Sequence, residues 1–157
     1  MSHMAIRSAN PSDVAHIVAL VNLAFRVERF LVYGDRTGTD QISARFQTGT
    51  FLLSETATGL VGCIYLELRG DRAYFGLLSV DPAHQHRGVG RELIGEAERR
   101  ARDAGCNFMD ILIVNVRTEL VPIYAGMGYA ESGTAPFPAD VPTKMPCHFL
   151  RMSKNLR

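Results

Sequence analysis

The sequence predicts an α+β domain with a mixed, mostly antiparallel central sheet of about seven strands flanked by about four helices. Three observations carry this expectation. The 157 residues amount to one domain's worth of chain. A hydrophobic share of 46% against 21% charged is enough for a packed core and excludes a disordered or collagen-like chain. The third is the order of segments, β, α, α, three β, α, β, α, two β, which groups three strands together instead of alternating strand and helix throughout.

Residues 5–9 read as a short opening strand. Asn10, Pro11, Ser12 and Asp13 supply an N-cap, a first-turn proline and an early acid, so a helix begins there. Val14, Ile17, Val18, Val21, Ala24 and Phe25 recur at three- and four-residue steps and give it one apolar face. The stretch 26–38 loses that period and mixes Arg26, Glu28, Arg29, Phe30, Tyr33, Asp35 and Arg36 with two glycines, which predicts a polar and aromatic loop. A short helix over 40–47, closed by Gly49, follows. Residues 50–55, 60–68 and 72–80 are rich in branched and aromatic side chains and are separated by short polar or glycine-containing turns, so they predict three consecutive antiparallel strands. Residues 88–104 place Val89, Leu93, Ile94, Ala97, Ala101 and Ala104 on one helical side. Glu96 with Arg100 and Glu98 with Arg102 lie outside, and Gly105 ends the helix. A buried strand over 107–114, a short helix over 118–126 and closing strands over 129–133 and 147–153 complete the chain.

Seventeen Lys and Arg against sixteen Asp and Glu leave a formal charge of +1, which provides no overall field for a polyanion. Nucleic acid is therefore not expected as a partner, and any bound anion must be gripped locally. Cys63, Cys106 and Cys147 are odd in number, widely spaced and form no CxxC pair, which suggests neither a disulfide framework nor a zinc site and fits a reducing, cytoplasmic setting. No apolar run approaches the ~20 residues of a membrane helix, and no membrane partner or secretory leader is expected. Met1, Ser2 and His3 ahead of Met4 read as a cloning scar, with a single domain over 4–157.

Residues 77–91, L-L-S-V-D-P-A-H-Q-H-R-G-V-G-R, take a strand through a turn into a helix start. Backbone N–H groups at a helix N-terminus lack internal partners and carry the positive end of the helix dipole. Gly88 and Gly90 remove side chains that would hold a pyrophosphate off that backbone, and Arg87 or Arg91 can add charge. A dinucleotide fingerprint fails because position 93 is leucine, and no Gly-Lys-Ser or Gly-Lys-Thr of a P-loop occurs. Taken alone, a G-x-G at a helix start is as readily a structural turn.

Gln85-His86-Arg87-Gly88-Val89-Gly90 resembles the Q/R-x-x-G-x-G/A signature of the GNAT superfamily of acyl-CoA-dependent N-acyltransferases, with a hydrophobic strand ending Ser79-Val80-Asp81-Pro82 ahead of it. Asn115 after the next strand and Tyr124-Ala125-Gly126-Met127-Gly128-Tyr129 are similar to the family's second half, and the likeness in element order runs over residues 5–156. The resemblance implies a GNAT-like sheet, an N-acetyltransferase activity and acetyl-CoA as co-substrate. By it, the backbone of Leu78, Ser79 and Val80 would hold the pantetheine arm. The pyrophosphate would lie on His86, Arg87, Gly88, Val89, Gly90 and Arg91. Asn115 would touch the cofactor arm, and Tyr124 would protonate the departing thiolate. It also implies direct attack of a primary amine in a ternary complex.

The general base departs from the family pattern, because the place of its usual glutamate falls at Gly76. Glu67 on the preceding strand, Glu28 in the polar loop or a chain of waters remain. Glu67 is preferred, and alternation puts it on one face with Tyr65 and Cys63. Glu28, Arg29, Tyr33, Lys144 and His148 are the candidate acceptor residues, the 26–36 loop lying where the family's acceptor site generally does. If Arg29 or Lys144 reaches the pocket, the acceptor carries a carboxylate as well as an amine. His84 and His86 have metal-ligand spacing without a third ligand nearby, so no metal is expected. A small-molecule amine is the expected acceptor. A protein or peptide amine, or a non-catalytic CoA-binding regulatory module, stays open, as does a homodimer.

Overall fold

The computed structural model describes residues 5–157, so the proposed scar at 1–3 and the start of the domain at Met4 lie outside the described residues. Seven strands form one sheet in the order β1-β2-β3-β4-β5-β7-β6. They are β1 (Ala5–Ser8), β2 (Thr50–Thr56), β3 (Gly59–Arg69), β4 (Arg72–Val80), β5 (Phe108–Val114), β6 (Ala130–Pro136) and β7 (His148–Asn155). Four helices, α1 (Val14–Ala24), α2 (Thr39–Arg45), α3 (Val89–Asp103) and α4 (Leu120–Ala125), complete the expected order. Every strand pair is antiparallel except β4 with β5.

The start of α1 follows the sequence signal closely. The Asn10 side chain accepts from the Ser12 N–H, Asp13 accepts from the Asn10 N–H, and a 3-10 turn over Pro11–Asp13 leads into the helix. Its buried Ile17, Leu20 and Val21 join Ile42 of α2 against Phe51, Leu53, Cys63, Tyr65 and Leu77 on one face of the sheet. On the other face α3 lays down Val89, Leu93, Ile94, Ala97 and Ala101 over Leu52, Ile64, Leu66 and Phe75. Each fully buried aliphatic side chain of this kind stabilises by roughly 1.5–3 kcal/mol.

The last two strands run further than their composition predicts. β6 continues past Gly133 to Pro136 because a bulge between Glu131 and Gly133 restores its register with β7. Pro136 is tolerated there because β6 is an edge strand. The 26–38 loop is also more ordered than its polarity suggests. It holds a 3-10 turn over Phe25–Glu28, buries Leu31 and bridges Val32 to Thr143.

Candidate active site

The parallel pairing of β4 and β5 covers three residues, Arg72 with Phe108, Ala73 with Met109 and Tyr74 with Asp110. Beyond Tyr74 the strands part, and the edge of β4 that faces β5 loses its ladder partners. Between the Tyr65–Gly76 and Cys63–Ser79 pairs, β4 carries one residue more than β3, and Leu77 turns left-handed at φ 51. The bulge redirects the backbone at Leu78, Ser79 and Val80. Ser79 faces the core and its hydroxyl donates to the Leu77 carbonyl at 2.9 Å, so this residue offers the cleft its backbone only.

After Val80, a 3-10 turn over Pro82–His84 brings the chain to the start of α3. His86 and Gly88 are both left-handed, at φ 64 and φ 83. Alternation of hand over successive residues turns neighbouring N–H groups to one side, the geometry of an anion nest, and α3 begins directly on it. A side chain at Gly88 would meet no atom within 4 Å, so the glycine is needed for its backbone angle. A Cβ at Gly90 would only touch Leu78 and Val80 at 3.9 and 3.8 Å, so the surface above it is open. His86 and Arg87 are exposed at this rim. Nest, open rim and parted strands together fit a phosphate-bearing, arm-like ligand lying from α3 into the sheet.

Tyr124 stands over the divergence. Its ring packs against Phe75 and Tyr129 at centroid separations of 6.2 and 6.0 Å, and its hydroxyl has no hydrogen-bond partner among the described residues. Burial pushes its pKa up, which the nearby Arg117 charge only partly offsets. The phenol therefore stays protonated at neutral pH and can give a proton. Arg117 donates to Glu28 at 3.2 Å, joining the loop after β5 to the 26–38 loop, and its Nε is buried without a partner. Asn115 also has a structural occupation. It exchanges bonds with His148, its Oδ1 accepting from the His148 N–H at 2.8 Å and its own N–H donating to the His148 carbonyl at 2.9 Å. It extends the β5–β7 ladder, and its Nδ2 makes no hydrogen bond among the described residues.

The proposed acceptor residues fall into two groups. Lys144 donates to the Arg29 carbonyl at 2.8 Å and lies 5.2 Å from the Tyr33 ring centroid, so Arg29, Tyr33 and Lys144 form one wall. His148 is exposed at the start of β7. Glu67 lies in register with Tyr74 on the α1–α2 face and accepts from Arg69 at 2.7 Å. Between Glu67 and the open cleft stands Tyr74. A Cβ added at Gly76 would lie 2.9 Å from Tyr74 Cζ and closer still to its hydroxyl, so the phenol fills the space a longer side chain at 76 would use. Tyr74, Arg36, Arg45 and Arg117 were not among the proposed site residues. Arg36 belongs to the 26–36 loop whose composition marked it as a place for binding, and the shared strand face of Tyr74 and Gly76 signalled Tyr74, while nothing in the sequence singled out Arg45 or Arg117. Two other recesses exist, one bordered by Arg7, Asp13 and His16 and one by Phe46, Thr48 and Arg100, and neither contains Tyr124 or a residue of β5.

Residues 25–146 match the family model described as Acetyltransferase (GNAT) domain. No curated protein matches the chain. Among solved structures, the ribosomal-protein-S18-alanine N-acetyltransferase of Escherichia coli is 13% identical with a TM-score of 0.78, covering 98% of this chain and 94% of its own. The yncA protein of Salmonella typhimurium, solved with its cofactor acetyl-CoA, is 23% identical with a TM-score of 0.74 over 98% of this chain and 94% of its own. A nourseothricin acetyltransferase is 21% identical at a TM-score of 0.75, covering 98% and 99%. At these identities the likeness speaks for the fold, while the family match spans well over half of the sequence. The chain belongs to the GNAT acetyltransferase family and is an acetyl-CoA-dependent N-acetyltransferase.

Proposed function

We propose that the protein transfers the acetyl group of acetyl-CoA to the primary amine of a small molecule, by direct attack in a ternary complex. The observation that carries this reading is the unpartnered, protonated Tyr124 hydroxyl standing over the point where β4 and β5 part, a short distance along the sheet from the nest at His86 and Gly88. In this reading the N–H groups of Gly88, Val89, Gly90 and Arg91 hold the pyrophosphate, with Arg87 beside it. The freed backbone of Leu78 to Val80 aligns the arm, and an N–H in this stretch polarises the thioester carbonyl. Tyr124 protonates the departing thiolate.

An alkylamine has a reference pKa near ~10.4, so presenting it neutral at pH 7 costs roughly 4–5 kcal/mol, and the site must take up its proton. Glu67 serves as that acceptor through a water beside the Tyr74 hydroxyl. Both candidate acids are ion-paired, Glu67 with the exposed Arg69 and Glu28 with the largely buried Arg117, and the more solvated pair leaves Glu67 the freer of the two. A small acceptor is favoured over a protein segment because Lys144, Thr143 and Val32 tie the two loops across the approach, narrowing it. Thiol release from acetyl-CoA across a panel of small amines, with a lysine peptide alongside, tests the reading. Turnover of a small amine is expected, and Glu67→Gln should lower kcat/KM about 10²-fold while moving the limb of the pH profile that reports the base. Turnover of the peptide alone would overturn the choice of acceptor.

A further inference from the structure

The segments around the proposed acceptor site lie far apart in the chain, and one ion pair ties two of them together. Arg117, between β5 and α4, donates through Nη1 to Glu28 Oε2 at 3.2 Å, across a sequence separation of 89. The two side chains are only 16% and 12% exposed. Glu119, 3.9 Å from the other terminal nitrogen, is 58% exposed, so Glu28 is the desolvated partner of this guanidinium. Taking two charges out of water offsets much of their attraction, and such a pair adds little net stability compared with apolar packing. Its best-attested use is to fix how two parts of a fold meet. The Arg117 Nε is buried without a partner among the described residues, a cost that a purely stabilising group would not carry.

Each end of the pair is set into backbone that the reaction uses. The Arg117 N–H donates to the Val114 carbonyl at 3.0 Å, and the Arg117 carbonyl accepts from the Leu120 N–H at 3.1 Å. The residue thus joins the last position of β5 to the first of α4, the helix of Tyr124, and its charge is felt at the Tyr124 hydroxyl. That helix has six residues, buries none of them completely and lacks a side-chain cap at its N-terminus. A helix this short has no stability of its own, so what holds its ends decides where it lies. On the other side of the pair, the Glu28 carbonyl accepts from the Leu31 and Val32 N–H groups at 2.9 and 3.0 Å and turns the 26–38 loop. The Leu31 carbonyl in turn accepts from the Lys144 N–H at 2.7 Å, which carries the connection to the Arg29–Tyr33–Lys144 wall.

We infer that Glu28 and Arg117 are a positioning pair for acetyl transfer: their ion pair holds the 26–38 loop against the start of α4, so that the acceptor wall and Tyr124 keep one fixed separation. This rests on the acetyl-transfer reading and deepens it. Glu28 acts on the acceptor through the loop it turns, its carboxylate being taken by Arg117. A single N–H to oxygen bond makes the pair, so the point charge of a lysine at 117 can reproduce it where an uncharged side chain cannot.

The test sets Glu28→Gln, Arg117→Met, Arg117→Lys and the double variant Glu28→Gln/Arg117→Met against the wild type, each with and without Tyr124→Phe. It reads kcat, KM for the best amine and KM for acetyl-CoA. Glu28→Gln and Arg117→Met each lower kcat about 10- to 100-fold and raise the amine KM, while the acetyl-CoA KM stays nearly unchanged because the nest is untouched. Arg117→Lys recovers most of the loss. A single neutralising variant leaves one buried charge unpaired and melts early; in the double variant both charges are gone, so its melt returns towards the wild type while its kcat stays low. Tyr124→Phe costs at least about threefold less in the neutralised backgrounds than in the wild type, because the pair acts through the placing of that phenol. Additive effects of Glu28→Gln and Tyr124→Phe, full kcat in the double variant, or a loss in Glu28→Gln without one in Arg117→Met overturns the inference. Amide hydrogen exchange reads the same coupling without turnover. Glu28→Gln speeds exchange about tenfold or more in residues 120–129, and Arg117→Met does so in residues 29–34. A change confined to the segment that carries the substitution refutes the pair. If the wild type acetylates no amine, the acetyl-transfer reading fails, and the exchange measurement alone decides whether Glu28 and Arg117 hold the loop to α4.

Discussion

At the scale of single residues, Tyr124 combines two properties that seldom occur together: a ring fixed by two aromatic neighbours and a hydroxyl without a partner. A buried phenol usually finds a hydrogen bond, so one left free at a cleft is available to a substrate. An aliphatic thiol near pKa ~8.5 is a fair leaving group, which makes proton donation helpful without being indispensable. Tyr124→Phe should therefore lower kcat by about 10²- to 10⁴-fold and leave acetyl-CoA binding nearly unchanged, because the ring packing is kept. Steady-state kinetics with a separate binding measurement checks this. Unchanged turnover with weakened acetyl-CoA affinity would make the residue a cofactor contact. Burial pushes the Cys63 thiol up to about 12, beyond the range in which it forms a nucleophilic thiolate at neutral pH.

At the scale of elements, two buried polar devices fix how helices meet the sheet. Glu98 of α3 accepts from the Tyr129 hydroxyl at 2.7 Å and from Lys154 of β7 at 3.0 Å, locking α3 to the far half of the sheet through a carboxylate that burial would otherwise penalise. Asp13 plays the corresponding part for α1, with two bonds from Arg7 at 2.8 and 2.9 Å and one from the Asn10 N–H. The Arg7 bonds hold its carboxyl at about 2, below the ordinary 3.8. A depressed carboxylate contributes stability that is complete above the unfolded pKa and is lost as pH falls through the folded one. Asp13→Asn should thus lower Tm by about 2–4 °C near neutrality, the size expected for losing a helix cap. The gap to the wild type should close between about pH 4 and pH 2, where the native carboxyl itself becomes protonated. Thermal melts of both proteins across that range check the sign. A gap that stays constant down to pH 2 would show that the charge on Asp13 adds nothing.

At the scale of the whole molecule, the order of elements was legible because each boundary carries its own chemistry. The capping box at Asn10 and Asp13, the heptad-like face of α3 and the glycine at 105 are local signals, and local physics decides them. The nest was legible in the same way, since Gly88 is a backbone requirement written into the sequence. The acceptor side was only partly so. The 26–38 loop was recognisable by composition as a place for binding, but the way it is pinned to α1 depends on the Asn22–Thr37 pair, fifteen residues apart in the chain. The position of Tyr74 over Gly76 depends on a rotamer, and the bulge at Leu77 changes which backbone groups face the cleft. Contacts of this kind arise from tertiary packing and leave no periodic trace.

The central claim is that the Gly88 turn and the parted strands bind acetyl-CoA, and calorimetric melting with and without this ligand tests it most directly. A ligand that binds only the native state at about 100 times its Kd adds roughly 2.7 kcal/mol to unfolding, which for a domain of this size is a rise in Tm of about 5–10 °C. That rise is expected for the wild type. It should be lost in Gly88→Glu, where a carboxylate and a strained left-handed backbone enter the nest at φ 83, with the melt of the unliganded variant still cooperative. A wild-type melting curve left unmoved by millimolar acetyl-CoA, or a shift that persists intact in Gly88→Glu, would contradict it.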